Sequence, residues 1–180
     1  MIRRQDSLSK RIKEFRNSIG IAEDVERAAV FNQDGGVFLS DRTGSHNAVA
    51  FSHDELLQMR GKTLIHTHID TGDLTDRLLS PEDIYTAAYY GMDEIQAVTP
   101  TSMSALSPGM TLKGNTSMRN RFVDGYNDIL ENGRREIRAF SGDEAAVREV
   151  IQAIARKMSD YLQSNTQVFG YLYEEWGVFD

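Results

Sequence analysis

Residues 64–84 read LIHTHIDTGDLTDRLLSPEDI, and this stretch says most about both the fold and a functional site. Its apolar start predicts a β-strand that ends in two histidines, His66 and His68. In a strand, residues i and i+2 point to the same face, so two imidazoles at this spacing can reach one ion. Asp83, brought back by the helix that follows, is a candidate third ligand. Two or three nitrogen and oxygen ligands with one position left for water are typical of a catalytic zinc site.

A helix is predicted to begin at the end of this stretch. Ser80 is a favourable N-cap residue, and Pro81 suits the first helical position. The motif therefore also has a purely structural explanation, because the helix dipole favours an acidic residue such as Asp83 in the first turn. The two histidines could likewise be satisfied by backbone carbonyls or water. The two motifs in combination, rather than either one alone, indicate a metal site.

The composition limits the kinds of protein and site. The chain has 180 residues, enough for one domain with its own core, and a formal net charge of −7. It contains no cysteine, which excludes disulfides and leaves histidine and carboxylate side chains to hold any metal. We find no apolar run typical of a membrane span or a signal peptide, which predicts a cytoplasmic protein without membrane contact. The acidic charge makes nucleic-acid binding unfavourable, since that binding depends on basic surfaces.

Apolar periodicity and turn residues predict an α/β (α+β) fold over residues 1–180, with a single mixed β-sheet flanked by helices. The predicted helices span residues 7–19, 52–59, 81–90, 118–130 and 143–162, and the predicted strands span residues 27–32, 37–39, 48–51, 62–67 and 95–98. Residues 69–79 and 99–115 are predicted to be loops. The aromatic tail at 169–179 belongs to the core or forms a surface for self-association or a protein partner.

The two motifs together resemble those of the JAB/MPN (JAMM) metalloprotease superfamily. The family pattern is an upstream glutamate, an apolar strand ending in His-x-His, a loop, and Ser-x-x-Asp opening a helix. The chain is similar to it at His66-Thr67-His68 and Ser80-Pro81-Glu82-Asp83. The layout looks closest to bacterial and phage branches, the RadC-like and phage head-morphogenesis-associated domains, in which a glutamate precedes a hairpin as Glu26 does here.

The resemblance implies an organisation of the chain and a role for each motif residue. It implies a JAB/MPN-like (cytidine-deaminase-like) core at residues 26–99, an N-terminal helix at 1–20 and a C-terminal helical extension at 116–180. The implied zinc ligands are His66, His68 and Asp83, with a water as the fourth. Glu26 would be the general base, with Glu23 as its main competitor, and Ser80 would help to hold the oxyanion. The implied reaction is hydrolysis of a peptide or isopeptide bond of a protein or peptide substrate.

Two features depart from the family pattern. Many members have proline directly after the second histidine, where this chain has Ile69, and the loop before Asp83 is longer than usual. The additional residues Asp70, Asp73 and Asp76 could cover the site, select the substrate or supply a different third ligand. A second hypothesis is therefore a catalytically inactive JAB-like binding or structural module, associated with a phage or mobile element. A different metal-dependent hydrolase, such as a nuclease, is a third hypothesis, which the acidic charge disfavours.

Overall fold

A computed structural model describes residues 2–18, 24–46, 48–69, 74–108, 116–140, 142–166 and 170–175. Its helices are α1 (Ile2–Asn17), α2 (His53–Gln58), α3 (Leu74–Arg77), α4 (Pro81–Tyr90), α5 (Thr116–Ala139) and α6 (Glu144–Thr166). Its strands are β1 (Arg27–Phe31), β2 (Val37–Thr43), β3 (Thr63–Thr67), β4 (Glu94–Val98), β5 (Ser102–Ser107) and β6 (Gly170–Glu175).

The six described strands lie in one sheet, in the order β2-β1-β3-β4-β5-β6. β3 and β4 are parallel, and every other neighbouring pair is antiparallel. A parallel pair requires a crossover connection, which the segment containing α3 and α4 supplies. One mixed sheet with flanking helices confirms the predicted α/β (α+β) fold class.

The two faces of the sheet bury different side chains. The larger apolar cluster contains Ala28, Leu64, Ile95 and Leu106 of the strands, together with residues of α4, α5 and α6. The smaller cluster lies on the opposite face, where Ile65 and Phe15 of α1 belong to it. His66 pairs with Ala28 in the sheet, so its side chain lies on the face of the larger cluster.

None of the described helices combines the length and the apolar character needed to cross a membrane. The two longest, α5 and α6, are amphipathic instead, because each has one apolar stripe that joins the larger cluster. The residues of these stripes include Tyr126 and Leu130 of α5 and Ile151, Ile154 and Met158 of α6.

The strand predicted at residues 48–51 is absent from the structure, and that prediction is wrong. The N–H of Ser45 donates a hydrogen bond to the carbonyl of Ala48 at 2.8 Å, so this carbonyl bonds within its own segment rather than to a strand of the sheet. Nη1 of Arg42 donates to the carbonyl of Ala50 at 3.1 Å. The half-buried side chains of Val49 and Phe51 line a cavity, so their partial burial does not require a ladder.

Three elements lie in segments for which no element was predicted. α3 lies in the predicted loop at residues 69–79, and β5 lies in the predicted loop at 99–115. β6 lies in the aromatic tail and pairs with β5 from Ser102↔Glu175 to Ser107↔Gly170. The part of the chain after residue 116 therefore contains a strand of the common sheet as well as two helices; residues 169 and 176–179 of the tail lie outside the described residues.

Candidate metal centre

β3 places the two histidines side by side. His66 lies opposite Ala28 of β1 and Ala97 of β4. The N–H of His68 donates a hydrogen bond to the carbonyl of Val98 at 2.9 Å, so the ladder continues one residue beyond β3. Because side chains alternate along an extended chain, both imidazoles share the face of the larger cluster. Their ring centroids are 4.7 Å apart.

The start of α4 supplies a carboxylate in a fixed orientation. Ser80 is the N-cap, and its Oγ accepts a hydrogen bond from the N–H of Asp83 at 3.1 Å. Oδ2 of Asp83 accepts hydrogen bonds from the N–H of Ser80 at 2.8 Å and from its hydroxyl at 2.7 Å. This capping box holds the carboxylate at a helix N-terminus, where the dipole favours negative charge.

The side chains of His66, His68 and Asp83 converge on one point. The two Nε2 atoms are 2.9 Å apart, Oδ1 of Asp83 lies 3.4 Å from Nε2 of His66, and Oδ2 lies 3.6 Å from Nε2 of His68. The three side chains are only 8 %, 11 % and 20 % exposed, in the same order. Among the described residues, they form a group that could hold a metal ion. We call these three side chains the ligand group.

The two histidines differ in their remaining ring contacts. The ring of His68 hydrogen bonds to the backbone of Asp76 in α3. Nδ1 of His66 is buried and has no hydrogen-bond partner in the part of the chain that the structure describes. A hydrogen bond from the second ring nitrogen usually fixes the orientation of a metal-binding histidine. The long loop before Asp83 therefore supports His68 through α3.

Opposite charges within the ligand group stabilise one another. Burial raises the pKa of Asp83, but the charges and hydrogen bonds of His66 and His68 outweigh burial and hold that pKa well below its ordinary value of 3.8. Burial lowers the pKa of His68, but the hydrogen bond to Asp83 and the charges of Asp83 and Glu26 raise it above its ordinary value of 6.5. Asp83 is therefore an anion at neutral pH, which is the form that binds a cation.

Glu26 lies directly before β1 and lines the same cavity as the ligand group. Its N–H donates to the carbonyl of Ser45 at 2.8 Å, and its carbonyl accepts from the N–H of Gly44 at 2.7 Å. Glu26 is 8 % exposed. Burial raises the pKa of its carboxyl above the ordinary value of 4.5, although His68 and His66 act in the opposite direction. A buried carboxyl of this kind, beside the ligands but outside their group, can accept a proton.

The ligand group forms part of the wall of a cavity of about 580 Å³. Other polar lining residues include Glu26, His46, Asp76, Ser80, Glu82 and Thr86. The apolar lining residues include Ala48, Val49, Phe51, Leu56, Leu64 and Ile95. A cavity of this size admits a small molecule or a peptide segment to the ligand group.

The predicted site residues Glu26, His66, His68, Ser80 and Asp83 all line this one cavity. The ligand group has the three predicted members, whereas the catalytic roles of Glu26 and Ser80 stay predictions. Asp76 lines the cavity outside the ligand group, and Asp70, Asp73 and Glu23 lie outside the described residues. His53 is exposed, and its Nδ1 lies 3.2 Å from the hydroxyl of Tyr90.

The sequence reasoning missed the apolar side of the cavity. Val49 and Phe51 were assigned to a strand, and Glu82 was given no role at the site. His46 is exposed, yet it also lines the cavity. No local pattern identifies these positions, because the cavity arises only when α2, α4 and the residues after β2 come together.

Comparisons with the known protein families, with curated proteins and with solved structures found no match for this chain. A function must therefore be argued from the chemistry of the site.

Proposed function

We propose that this protein is a zinc-dependent metallohydrolase of JAB/JAMM type that cleaves a peptide or isopeptide bond by means of activated water. The observation that carries the proposal is the convergence of two imidazole nitrogens and one carboxylate in the wall of an open cavity. Catalytic zinc sites use three such ligands and leave the fourth position to water or substrate. The resemblance of the motifs at residues 66–68 and 80–83 supports the JAMM type of hydrolase.

The distances within the ligand group suit one tetrahedral ion. Metal–ligand bonds of about 2.0–2.1 Å place two tetrahedral ligands roughly 3.3 Å apart. The separations of 3.4 Å from Nε2 of His66 to Oδ1 of Asp83 and of 3.6 Å from Nε2 of His68 to Oδ2 are close to this value but involve different oxygens of the carboxylate. The two Nε2 atoms, at 2.9 Å, are closer together. One ligand atom of each residue lies within 4.8 Å of the other two, which is compatible with one shared ion after the side chains adjust.

The surrounding residues supply the rest of the chemistry. Bound zinc would lower the pKa of a water ligand to about 7 and polarise the scissile carbonyl. Glu26 accepts the proton of the attacking water and passes it to the leaving amine, a role that the raised pKa of its carboxyl favours. The hydroxyl of Ser80 donates to Asp83, so it must turn towards the cavity before it can stabilise an oxyanion.

The charges around the cavity favour an amide substrate over a phosphodiester. Glu26, Asp76, Glu82 and Asp83 line the cavity, and no lysine or arginine of the described residues does so. Phosphodiester recognition depends on basic groups, and these carboxylates repel a phosphate. The cavity therefore supports a peptidase rather than a nuclease.

Elemental analysis of the purified protein tests the metal site. We expect one zinc per chain in the wild type and none in the His66→Ala/His68→Ala double variant, because two of three ligands are removed. His53→Ala is the matched control, since this exposed histidine lies outside the ligand group. A wild-type protein without metal, even after zinc is added back, would reject the hydrolase and favour the binding or structural module.

The same preparations test the chemistry. Glu26→Gln should keep one zinc per chain and lose about 10²–10⁴-fold in peptide hydrolysis, the usual contribution of a general base. A screen of peptide and isopeptide substrates measured by mass spectrometry gives the rate. Full activity in Glu26→Gln would assign the base elsewhere, with Glu23 the next residue to test.

A further inference from the structure

We propose, on the basis of the proposed function, that the apolar side of the cavity binds a large apolar side chain of the peptide substrate beside the scissile bond. This apolar subsite consists of Val49, Phe51, Leu56, Leu64 and Ile95. The cavity of about 580 Å³ is far larger than an ion and its water need, since a water occupies about 30 Å³. The remaining space lies within the range of about 300–1,000 Å³ that ligand pockets occupy.

The apolar subsite consists of a buried floor, formed by Leu64 and Ile95, and a partly exposed wall, formed by Val49, Phe51 and Leu56. Leu64 and Ile95 come from β3 and β4 and are almost completely buried in the larger cluster. Val49, Phe51 and Leu56 are half-buried and come from the segment after β2 and from α2. Half-buried apolar side chains gathered around one cavity leave apolar surface that a bound side chain removes from water.

The wall is held in place by Arg42 of β2. Its guanidinium donates to the carbonyl of Ala50 at 3.1 Å and to the carboxylate of Glu55 at 2.9 Å, and it lies 5.2 Å from the ring centre of Phe51. The segment also packs tightly on Gly44, where an added Cβ would lie 2.2 Å from the carbonyl oxygen of Ala48. A wall fixed before the substrate arrives loses little entropy on binding.

The charges of the cavity decide which side chains the apolar subsite accepts. Four carboxylates line the cavity, as described above, and the described lining contains no lysine or arginine. An acidic substrate side chain would lose its hydration and meet like charges, which is unfavourable. The carboxylates therefore exclude an acidic side chain, and the apolar lining of the subsite disfavours a basic one, whose charge would lose its hydration there. The expected occupant is a phenylalanine, leucine or methionine side chain.

Cleavage of a peptide library by the zinc-loaded protein, followed by mass spectrometry, tests this specificity. We expect a preference for large apolar over acidic residues at one position beside the scissile bond, and a loss of that preference by about 10–200-fold in Val49→Trp, which fills the subsite. Val37→Trp is the matched control, because Val37 is an exposed valine on β2 outside the cavity. Equal cleavage of all library members by the wild type would overturn the proposal.

A second measurement uses metal-free wild-type protein and depends neither on hydrolysis nor on the folding of a variant. Methyl NMR should show concentration-dependent shifts at Val49, Leu56, Leu64 and Ile95 on addition of N-acetyl-phenylalaninamide, and none with N-acetyl-aspartate amide. If the wild-type protein shows these shifts but neither binds added zinc nor cleaves peptides, the proposed reaction is rejected and the subsite is retained. A protein that binds zinc and cleaves peptides without these shifts would reject the subsite and retain the reaction.

Discussion

Two helices of this protein, α2 and α4, begin with the same capping box. The box of α2 joins Ser52 to Glu55, and the box of α4 joins Ser80 to Asp83. In each, the serine Oγ accepts from the N–H three residues on, and the carboxylate accepts from the serine N–H. The local geometry alone therefore does not distinguish a structural acid from a candidate metal ligand.

The difference lies in what faces each carboxylate across the fold. Glu55 accepts a hydrogen bond from Arg42, which is the largest cause of a Glu55 pKa lowered to about 2. Asp83 faces His66 and His68. An arginine stays protonated and completes an ion pair, whereas a neutral imidazole offers a lone pair to a metal. A capping acid therefore becomes a candidate ligand through the side chains that the sheet brings to it.

The largest effect that this comparison predicts is on zinc affinity. Asp83→Asn keeps an oxygen that can accept from the N–H of Ser80, but it removes the charge that attracts the ion. Loss of a residue that only supports a metal ligand lowers metal affinity by roughly 10–100-fold. We expect a larger loss here, because a ligand itself is changed. Glu55→Gln should leave zinc affinity unchanged and lower the melting temperature, because Arg42 loses its anion. A competition titration with a zinc chelator measures both.

Thermal melts of the metal-free variants provide the control for this pair. Both proteins must unfold cooperatively before their zinc affinities are compared. Equal zinc affinities in Asp83→Asn and Glu55→Gln would mean that both capping boxes have the same structural role. Asp83 would then be a capping residue only.

The ligand group was predictable because its members depend on local patterns. His66 and His68 share a face through the two-residue period of a strand, and Asp83 is fixed by a cap of four residues. The only non-local step is the return of α4 to the end of β3, which the parallel pairing of β3 and β4 requires. Glu26 was identified by its distance from the hairpin and the resemblance, and the structure places it in the same cavity.

The elements that the sequence did not predict depend on distant parts of the chain. β5 has the sequence SMSALS, whose small and polar residues have weak strand character, and it forms between β4 and β6. Residues 48–51 have the apolar character of a strand, yet a cavity and Arg42 supply the contacts that a ladder would give. α3 is a single turn of four residues, too short for a periodic pattern.

A smaller effect concerns how stability depends on pH in the metal-free protein. The pKa of His68 is raised above 6.5 in the folded state, so its interaction with Asp83 stabilises fully below pH 6.5 and is lost as pH rises through the folded pKa. The pKa of Glu55 is lowered from 4.5 to about 2, so its contribution is present above pH 4.5 and is lost as pH falls towards 2.

Melting temperatures of the metal-free wild type, Asp83→Asn and Glu55→Gln across this pH range distinguish the contributions of the two capping boxes to stability. As pH rises from 6.5, the wild type should lose more stability than Asp83→Asn, whereas Glu55→Gln should parallel the wild type. Between pH 4.5 and 2, Glu55→Gln should lose less stability than the wild type. Added zinc should reverse the first trend, because metal binding requires deprotonated ligands and strengthens as pH rises. Parallel curves for all three proteins would contradict the assigned interactions.

The smallest predicted effect concerns a tyrosine of α5 that supports the capping box at the start of α4. The hydroxyl of Tyr126, a fully buried residue of α5, donates to the carbonyl of Leu79, directly before Ser80. Tyr126→Phe keeps the ring but leaves that carbonyl without this donor, which should cost about 1–3 kcal/mol of stability. Zinc affinity should also fall, because the start of α4 positions Asp83. The loss should be smaller than the roughly tenfold loss that removing a direct hydrogen bond to a ligand causes, since Tyr126 acts on Asp83 only through the helix start.

Tyr173→Phe is the matched control, since this half-buried tyrosine of β6 packs against the same larger cluster. It should lower stability without changing zinc affinity. The absorption spectrum of the cobalt-substituted protein is a measurement that does not depend on stability, because it reports the geometry of the ligands. A shifted spectrum in Tyr126→Phe alone would show that α5 positions the carboxylate of Asp83, whereas identical spectra in both variants would reduce Tyr126 to a residue of the core.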